Sequence, residues 1–215
     1  MLALDHIVVA AIDAEESSAK YGNKFTIKAV KGGEHEDWGT YNYLSYFSND
    51  SYIEWLGVTD EFRTKNAENP LIQHLVYVLD NKIPGPFQFA LRTNEMDDYI
   101  YHFKEQNIPF KGPFTAQREK PDGTVLKWRM LFPEYNHEKE LLPFLIEWEN
   151  PKDAYPDTSL LNVQTITKIN YSGIDRDKFA HIYQLKPRKL NKSLLSLQNC
   201  KINFNNNEKL HFDLV

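Results

Sequence analysis

Tyr52-Ile53-Glu54-Trp55-Leu56 is an apolar strand pattern interrupted by a glutamate, and it returns later in the chain as Leu145-Ile146-Glu147-Trp148-Glu149. A recurring Ile-Glu-Trp triplet is a reason to look for a repeated unit before any local structure is assigned. Upstream of the first copy, His6-Ile7-Val8-Val9-Ala10-Ala11-Ile12-Asp13 is an apolar strand. It runs through Asp13 and Glu16, at capping-box spacing, into a short helix from Ala14 to Tyr21. Upstream of the second, Gln88-Phe89-Ala90-Leu91-Arg92-Thr93 leads into a helix from Glu95 to Gln106, where Met96, Tyr99, Ile100 and Phe103 recur at helical spacing. Each unit then carries a hairpin signal, Asn49-Asp50 in the first and Pro121-Asp122-Gly123 in the second. The unit is therefore βαβββ, and the second copy is longer in its hairpin and in the polar loop from Glu134 to Glu140.

Between the units, Leu71 to Leu79 reads as a linking helix or bridging segment closed by Pro84-Gly85-Pro86. After Pro151 a third fragment repeats the opening. Ile166 to Tyr171 is a strand, Asp175 to Leu185 a helix, and Leu194 to Phe204 and Lys209 to Val215 are strands. Lys168 stands where His6 stands in the first unit and the Ile-Glu-Trp triplet is missing, so this fragment is expected to be structural, a cover or an interaction surface. The expected organisation is a two-module domain over residues 1–150 and a partial third module of βαββ type over residues 151–215 packed on it. Cys200 falls in an apolar strand pattern and reads as core, and Asn205, Asn206 and Asn207 are turn chemistry.

The chain has 215 residues, 41% hydrophobic and 26% charged, which is ordinary globular composition and excludes wholesale disorder. Its net charge of -5 leaves no dominant basic field for nucleic acid or anionic lipid. The longest apolar stretches, Ile7 to Ile12 and Leu141 to Trp148, fall far short of the roughly 20 residues that span a bilayer. The N-terminus lacks a basic segment and reads as a first strand rather than a signal peptide. One cysteine supports neither an internal disulfide nor a cysteine metal site, and the cytoplasm is the expected compartment.

Paired βαβββ units with a histidine in the opening strand and a glutamate in the closing strand resemble the vicinal oxygen chelate superfamily. That superfamily includes glyoxalase I, extradiol dioxygenases and bleomycin-resistance proteins. Within it the chain is similar to the glyoxalase-like domain proteins, through four motifs. These are Leu4-Asp5-His6-Ile7-Val8-Val9-Ala10, Gly32-Gly33-x-His35-x-x-Trp38-Gly39-Thr40-x-Asn42, Pro121-Asp122-Gly123-x-x-Leu126-x-Trp128-Arg129 and Leu142-Pro143-Phe144-Leu145-Ile146-Glu147-Trp148. The resemblance covers residues 1 to about 150 well and the remainder loosely. It implies an α+β fold in which the two modules form an eight-stranded cup, and a metal set of His6, Glu54, Gln88 and Glu147 projecting inward. One imidazole, one amide oxygen and two carboxylates would suit six-coordinate Mn, Fe, Co, Ni or Zn, with open positions for water or substrate.

The residues themselves leave an alternative open. A carboxylate in an apolar strand needs compensation, and for Glu54 and Glu147 this is either metal or substrate chemistry or a buried ion pair with Arg92, Arg118 or Arg129. With Asp122-Gly123 as a two-residue turn, Arg118 opposes Lys127. Arg118, Lys127 and Arg129 then share one face, and Gln117, Leu126, Trp128 and Met130 share the other, under the Glu95 to Gln106 helix. The basic face would line the cup and, with Arg92, either balance the carboxylates or recognise an anionic group of the substrate. His35, Trp38 and Asn42 follow Gly32-Gly33 as a pocket rim or a packed loop.

Two functions fit these residues. The first is a metal-dependent lyase or isomerase acting on a small oxygen-rich substrate, in which Glu147 or Glu54 moves protons next to a carbonyl. The second is a metal-free binder that sequesters a small molecule in a cup lined by Tyr41, Tyr43, Trp38 and arginines. Either has a small-molecule ligand, which an arginine cluster would make anionic, and is compatible with a homodimer.

Overall fold

The computed structural model describes residues 2–119, 123–150, 158–187, 193–205 and 209–215. The chain divides into two compact units, one of His6–Phe89 and Tyr155–Thr165, the other of Met1–Asp5, Ala90–Ala154 and Ile166–Val215. Among the described residues no helix is long and apolar enough to cross a membrane.

The unit built on His6–Phe89 holds the first βαβββ module: β1 (Ala3–Ala10), α1 (Ala14–Phe25), β2 (Val30–His35), β3 (Thr40–Phe47) and β4 (Ser51–Val58). The sheet runs β2-β3-β4-β1. Opening and closing strands are parallel neighbours, with Val8 opposite Glu54 and His6 opposite Tyr52. Asp13 caps α1 by accepting a hydrogen bond from the Glu16 N–H at 2.9 Å, as its spacing predicts, and the helix continues past Tyr21 to Phe25. That helix covers one face of the sheet. Tyr21 lies 5.9 Å from Trp55, ring to ring, and the Ala14 N–H donates to the Tyr41 hydroxyl. Because strand side chains alternate and Tyr43 pairs with Trp55, the α1 face carries Ile7, Val9, Tyr41, Tyr43, Ile53 and Trp55. Tyr41 and Tyr43, expected in the cup, are therefore under the helix. Beyond β4 come α2 (Glu61–Asn66) and α3 (Pro70–Asp80), the latter being the expected linking helix, its Asn69 cap accepting from the Leu71 N–H. A two-residue strand β9 (Leu161–Asn162) adds to β3.

The other unit holds most of the second module. The last residues of β5 (Gly85–Arg92) pair in parallel with β8 (Phe144–Trp148), and β6 (Phe110–Glu119), β7 (Val125–Pro133) and β8 form antiparallel neighbours. Helix α4 (Met96–Glu105) buries Met96, Tyr99 and Phe103, three of the four residues expected from its periodicity.

The β6–β7 register corrects the expected one. Gln117 opposes Lys127, Arg118 opposes Leu126 and Thr115 opposes Arg129. The last pair is Glu119 with Val125, one residue out of step with the pairing that a two-residue turn at Asp122-Gly123 predicts. Pro121 and Asp122 lie outside the described residues. A one-residue change of register exchanges the faces. Arg118 therefore shares its face with Leu126, Trp128 and Met130, whereas Lys127 and Arg129 share the other. That second face is the one α4 covers, since Arg129 reaches Asp97 on α4 at 2.8 Å.

The third fragment forms β10 (Ile166–Tyr171), α5 (Arg176–Ile182), β11 (Leu194–Ser196), β12 (Lys201–Phe204) and β13 (Leu210–Leu214), in the sheet order β11-β12-β10-β13. The stretch expected as one strand from Leu194 to Phe204 is two, turned back on each other at Leu197 to Cys200. Parallel pairing of β10 with β12 reproduces the β1–β4 relationship, so the fragment is a partial copy of the module. Lys168, in the place of His6, pairs with Asp213 at 2.7 Å. The turn residues Asn206 and Asn207 lie outside the described residues. Tyrosines join the fragment to the second module: Tyr183 donates to the Pro143 carbonyl at 2.7 Å, Tyr171 to the Leu141 carbonyl, and Tyr99 to the Tyr183 carbonyl at 3.1 Å. The fold is thus α+β with two βαβββ modules and a partial third, as the repeat predicts.

Candidate functional site

The face of the first module turned away from α1 gathers polar residues that a sheet interior normally excludes. His6 on β1, Glu54 and Tyr52 on β4, and Asn42, Thr40 and Tyr46 on β3 all fall on it by register. His6, Asn42, Glu54 and Thr40 are all buried, at 3%, 4%, 8% and 0% exposure. An uncompensated carboxylate there would cost several kcal/mol. Compensation comes from Asn42, whose Nδ2 donates to Glu54 Oε1 at 2.6 Å, and from His6, whose Nε2 lies 3.6 Å from Glu54 Oε2. The second distance is too long for a hydrogen bond. Tyr52 stacks on the His6 ring at 4.5 Å with planes 20° apart, and Tyr46 stands 5.6 Å beyond it.

Next to this cluster the expected rim is a pinned strand and turn. His35 Nδ1 meets Thr40 Oγ1 at 3.0 Å, and its ring lies 5.5 Å from Trp38. The turn is held from α2, where Thr64 donates to the Trp38 and Gly39 carbonyls and Arg63 to the Glu36 carbonyl. Asn42 sits deeper than a rim residue, with both ends of its amide engaged, the oxygen by the Gly33 N–H at 2.9 Å. Tyr46 and Tyr52 were not singled out by the sequence. Their signal was available, because Tyr52 stands two residues before Glu54 and must share its face.

Glu147 lies in a different environment. Its Oε2 accepts from Arg129 Nε at 2.6 Å and its Oε1 from the Met96 N–H at 3.0 Å, at the start of α4. The residue is therefore on the α4 side of its sheet, where Glu54 is on the side away from α1. The two Ile-Glu-Trp triplets sit one residue out of phase: Trp55 packs toward its module's helix, whereas Trp148 is on the other face beside Trp128, at 5.2 Å. Arg129 in turn reaches Asp97 at 2.8 Å, which holds the Asp97 carboxyl below the usual carboxylate range. Arg92 is balanced by Asp5 at 3.2 Å, and Asp5 also accepts from Trp148 Nε1 at 3.0 Å. Arg118 is half-buried on the face of Trp128 and Leu126.

Two members of the metal set implied by the resemblance, Gln88 and Glu147, have their side-chain oxygens engaged within their own units. Both Glu147 oxygens are taken by a guanidinium and a backbone N–H, and the Gln88 side-chain oxygen accepts from the Phe89 N–H at 2.9 Å. Among the described residues, no three His, Cys, Asp or Glu side chains are grouped so that they could hold a metal ion. What remains is a buried histidine, carboxylate and amide, able to bind a polar group and to exchange a proton with it.

Comparison with known proteins places the fold. The chain is 20% identical to a hypothetical protein from Staphylococcus aureus whose crystal structure superposes with a TM-score of 0.75, covering 95% of this chain and 87% of that one. It is 18% identical to methylmalonyl-CoA epimerase from Mycobacterium tuberculosis, with a TM-score of 0.52, covering 71% of this chain and 91% of that one. No curated protein matches the chain. The Glyoxalase-like domain family matches residues 4–186, a span that takes in both βαβββ modules and the strand and helix that open the third. The chain belongs to the glyoxalase-like domain family of the vicinal oxygen chelate superfamily.

Proposed function

We propose that the protein binds a small carbonyl compound on the face of its first module turned away from α1 and moves a proton at the carbon next to the carbonyl, as a lyase or isomerase would. One observation carries the reading: Glu54 is a buried carboxylate with one oxygen anchored by Asn42 and the other facing an imidazole. Glu54 Oε2 takes the proton, the C–H electrons pass to the carbonyl oxygen as an enolate, and the His6 ring N–H donates to that oxygen. Return of the proton to the same face of the same carbon gives exchange with solvent, and return to the neighbouring carbon gives an isomer. A positioned base of this kind contributes roughly 10² to 10⁴ in rate. The step uses side chains alone and needs no donor from Glu147.

A second reading is favoured by the pairing of Glu147 with Arg129 and of Arg92 with Asp5. With these charges balanced internally, the protein is a small-molecule binder whose aromatic wall is Tyr46 and Tyr52.

The test is exchange in deuterium oxide. A panel of hydroxyketones, hemithioacetals of 2-oxoaldehydes and 2-methyl acyl thioesters, methylmalonyl-CoA among them, is incubated with the protein, and loss of the α-proton signal is followed by NMR. Proton transfer predicts exchange that falls at least 100-fold in Glu54→Gln and persists in Glu147→Gln. A compound that raises the melting midpoint but exchanges no faster than without protein assigns the site to the binder.

A further inference from the structure

The Asn42 side chain bridges a backbone N–H and a carboxylate. Its Oδ1 accepts from the Gly33 N–H at 2.9 Å and its Nδ2 donates to Glu54 Oε1 at 2.6 Å. A backbone N–H can only donate and an ionised carboxylate can only accept, so the amide has a single workable orientation. Reversing it would set N–H against N–H at Gly33 and oxygen against oxygen at Glu54. The local backbone is built for this. The β2–β3 ladder shifts register between Lys31 and Gly33, so the Gly33 N–H turns to the side chain of its partner, Asn42. Gly32 leaves the room: a Cβ there would stand 2.2 Å from Asn42 Oδ1 and 2.8 Å from Leu44 Cδ1.

We propose that Asn42 is a positioning residue that assigns separate tasks to the two oxygens of Glu54. Oε1 is the anchored oxygen, fixed by a charge-assisted hydrogen bond. Oε2, facing His6, is the one that takes the proton. The carboxylate cannot rotate to exchange them without breaking the bond to Asn42, so the base meets its ligand in one orientation. The inference rests on the reading of Glu54 as the base, and it gives the Gly32-Gly33…Asn42 motif a role in orienting that base in place of direct contact with substrate.

A polarity swap tests it without any substrate. Asn42→Asp keeps the acceptor for Gly33 and the volume but sets carboxylate against carboxylate. Adding Glu54→Gln supplies an amide that donates in the opposite direction. Thermal unfolding of the wild type, both single variants and the double variant is measured at one neutral pH, with side-chain amide NMR. The expected results are a midpoint about 5 °C or more lower in Asn42→Asp and recovery of at least half of that loss in the double variant. The Asn42 amide proton signals should also move in Glu54→Gln. A midpoint for Asn42→Asp within about 1 °C of wild type, or a double variant whose loss equals the sum of the two singles, overturns the proposal.

A second measurement separates this from the reading of Glu54. For any exchanging compound, Asn42→Asp should lower kcat at least tenfold with KM within twofold, because the anchored oxygen makes no ligand contact. Rescue in the swap with no exchange by any protein discards Glu54 as base and with it the task given to Oε2. Exchange abolished by Glu54→Gln but unaffected by Asn42→Asp discards the positioning role alone.

Discussion

Arg129 and Glu147 are direct partners across the β7–β8 ladder, and the guanidinium Nε donates to the carboxylate at 2.6 Å. Arg129 continues to Asp97, and Glu147 also accepts from the first N–H of α4, so the ion pair ties helix to sheet. Side-chain exposures of 29% and 17% place it between a surface pair and a core pair in worth.

Arg129→Met should therefore destabilise the protein by roughly 2 kcal/mol, because it strands a carboxylate that keeps only one backbone donor. Glu147→Gln should cost less, since Arg129 retains Asp97 and an amide oxygen still accepts from Met96. Urea unfolding of the two variants checks the order. A Glu147→Gln variant less stable than Arg129→Met would contradict it.

Divalent metals should leave the melting midpoint of the chain unchanged, because the glutamate that would complete the donor set is neutralised by Arg129. An ion that bound the folded form alone would add about 2.7 kcal/mol at a hundredfold excess over Kd, several degrees for a domain of this size. Thermal scans with Mn, Fe, Co, Ni and Zn, and elemental analysis of protein purified without chelator, decide this. A stoichiometric ion lost in Glu54→Gln would restore the metal-dependent reading.

Gly32→Ala should disturb the Glu54 site without unfolding the first module. The added methyl group meets the Asn42 oxygen and Leu44 at distances that force a shift. Strain of this kind costs typically 1–3 kcal/mol. The amide signals of Asn42 should move and proton exchange should slow. Unchanged signals would mean that β2 gives way instead.

Cys200 should be inert in the folded protein. Burial pushes its thiol up to about 12, so the reactive thiolate is scarce at pH 8. Ellman's reagent should react at once in guanidinium chloride and over hours in buffer. Immediate reaction in buffer would show that the four-stranded sheet opens.

Below about pH 6.5 the protein should lose stability in part through His137. Burial, together with the charges of Lys209 and Lys111, lowers its folded pKa below 6.5. The unfolded chain then binds the proton first, so stability present above pH 6.5 is lost as pH falls toward the folded value. Unfolding free energies of wild type and His137→Gln between pH 7.5 and 5.5 should converge on acidification. Parallel curves would remove His137 from the account.

The module is legible in the linear pattern of residues. Alternating apolar strands, the Asp13 cap and the periodic face of α4 are local patterns, and local patterns survive translation into structure because they are set by backbone geometry and burial within one element. His6 and Glu54, which the resemblance puts in one metal set, lie 3.6 Å apart on neighbouring parallel strands. Which face each residue uses was settled by strand register in the folded chain. A strand has a period of two, so a single residue of offset sends Glu147 toward α4 where Glu54 faces away from α1. A β6–β7 register one residue out of step likewise parts Arg118 from Lys127 and Arg129. A one-residue phase leaves almost no trace in composition or spacing, and at Glu147 it separates a candidate ligand from one half of a structural ion pair.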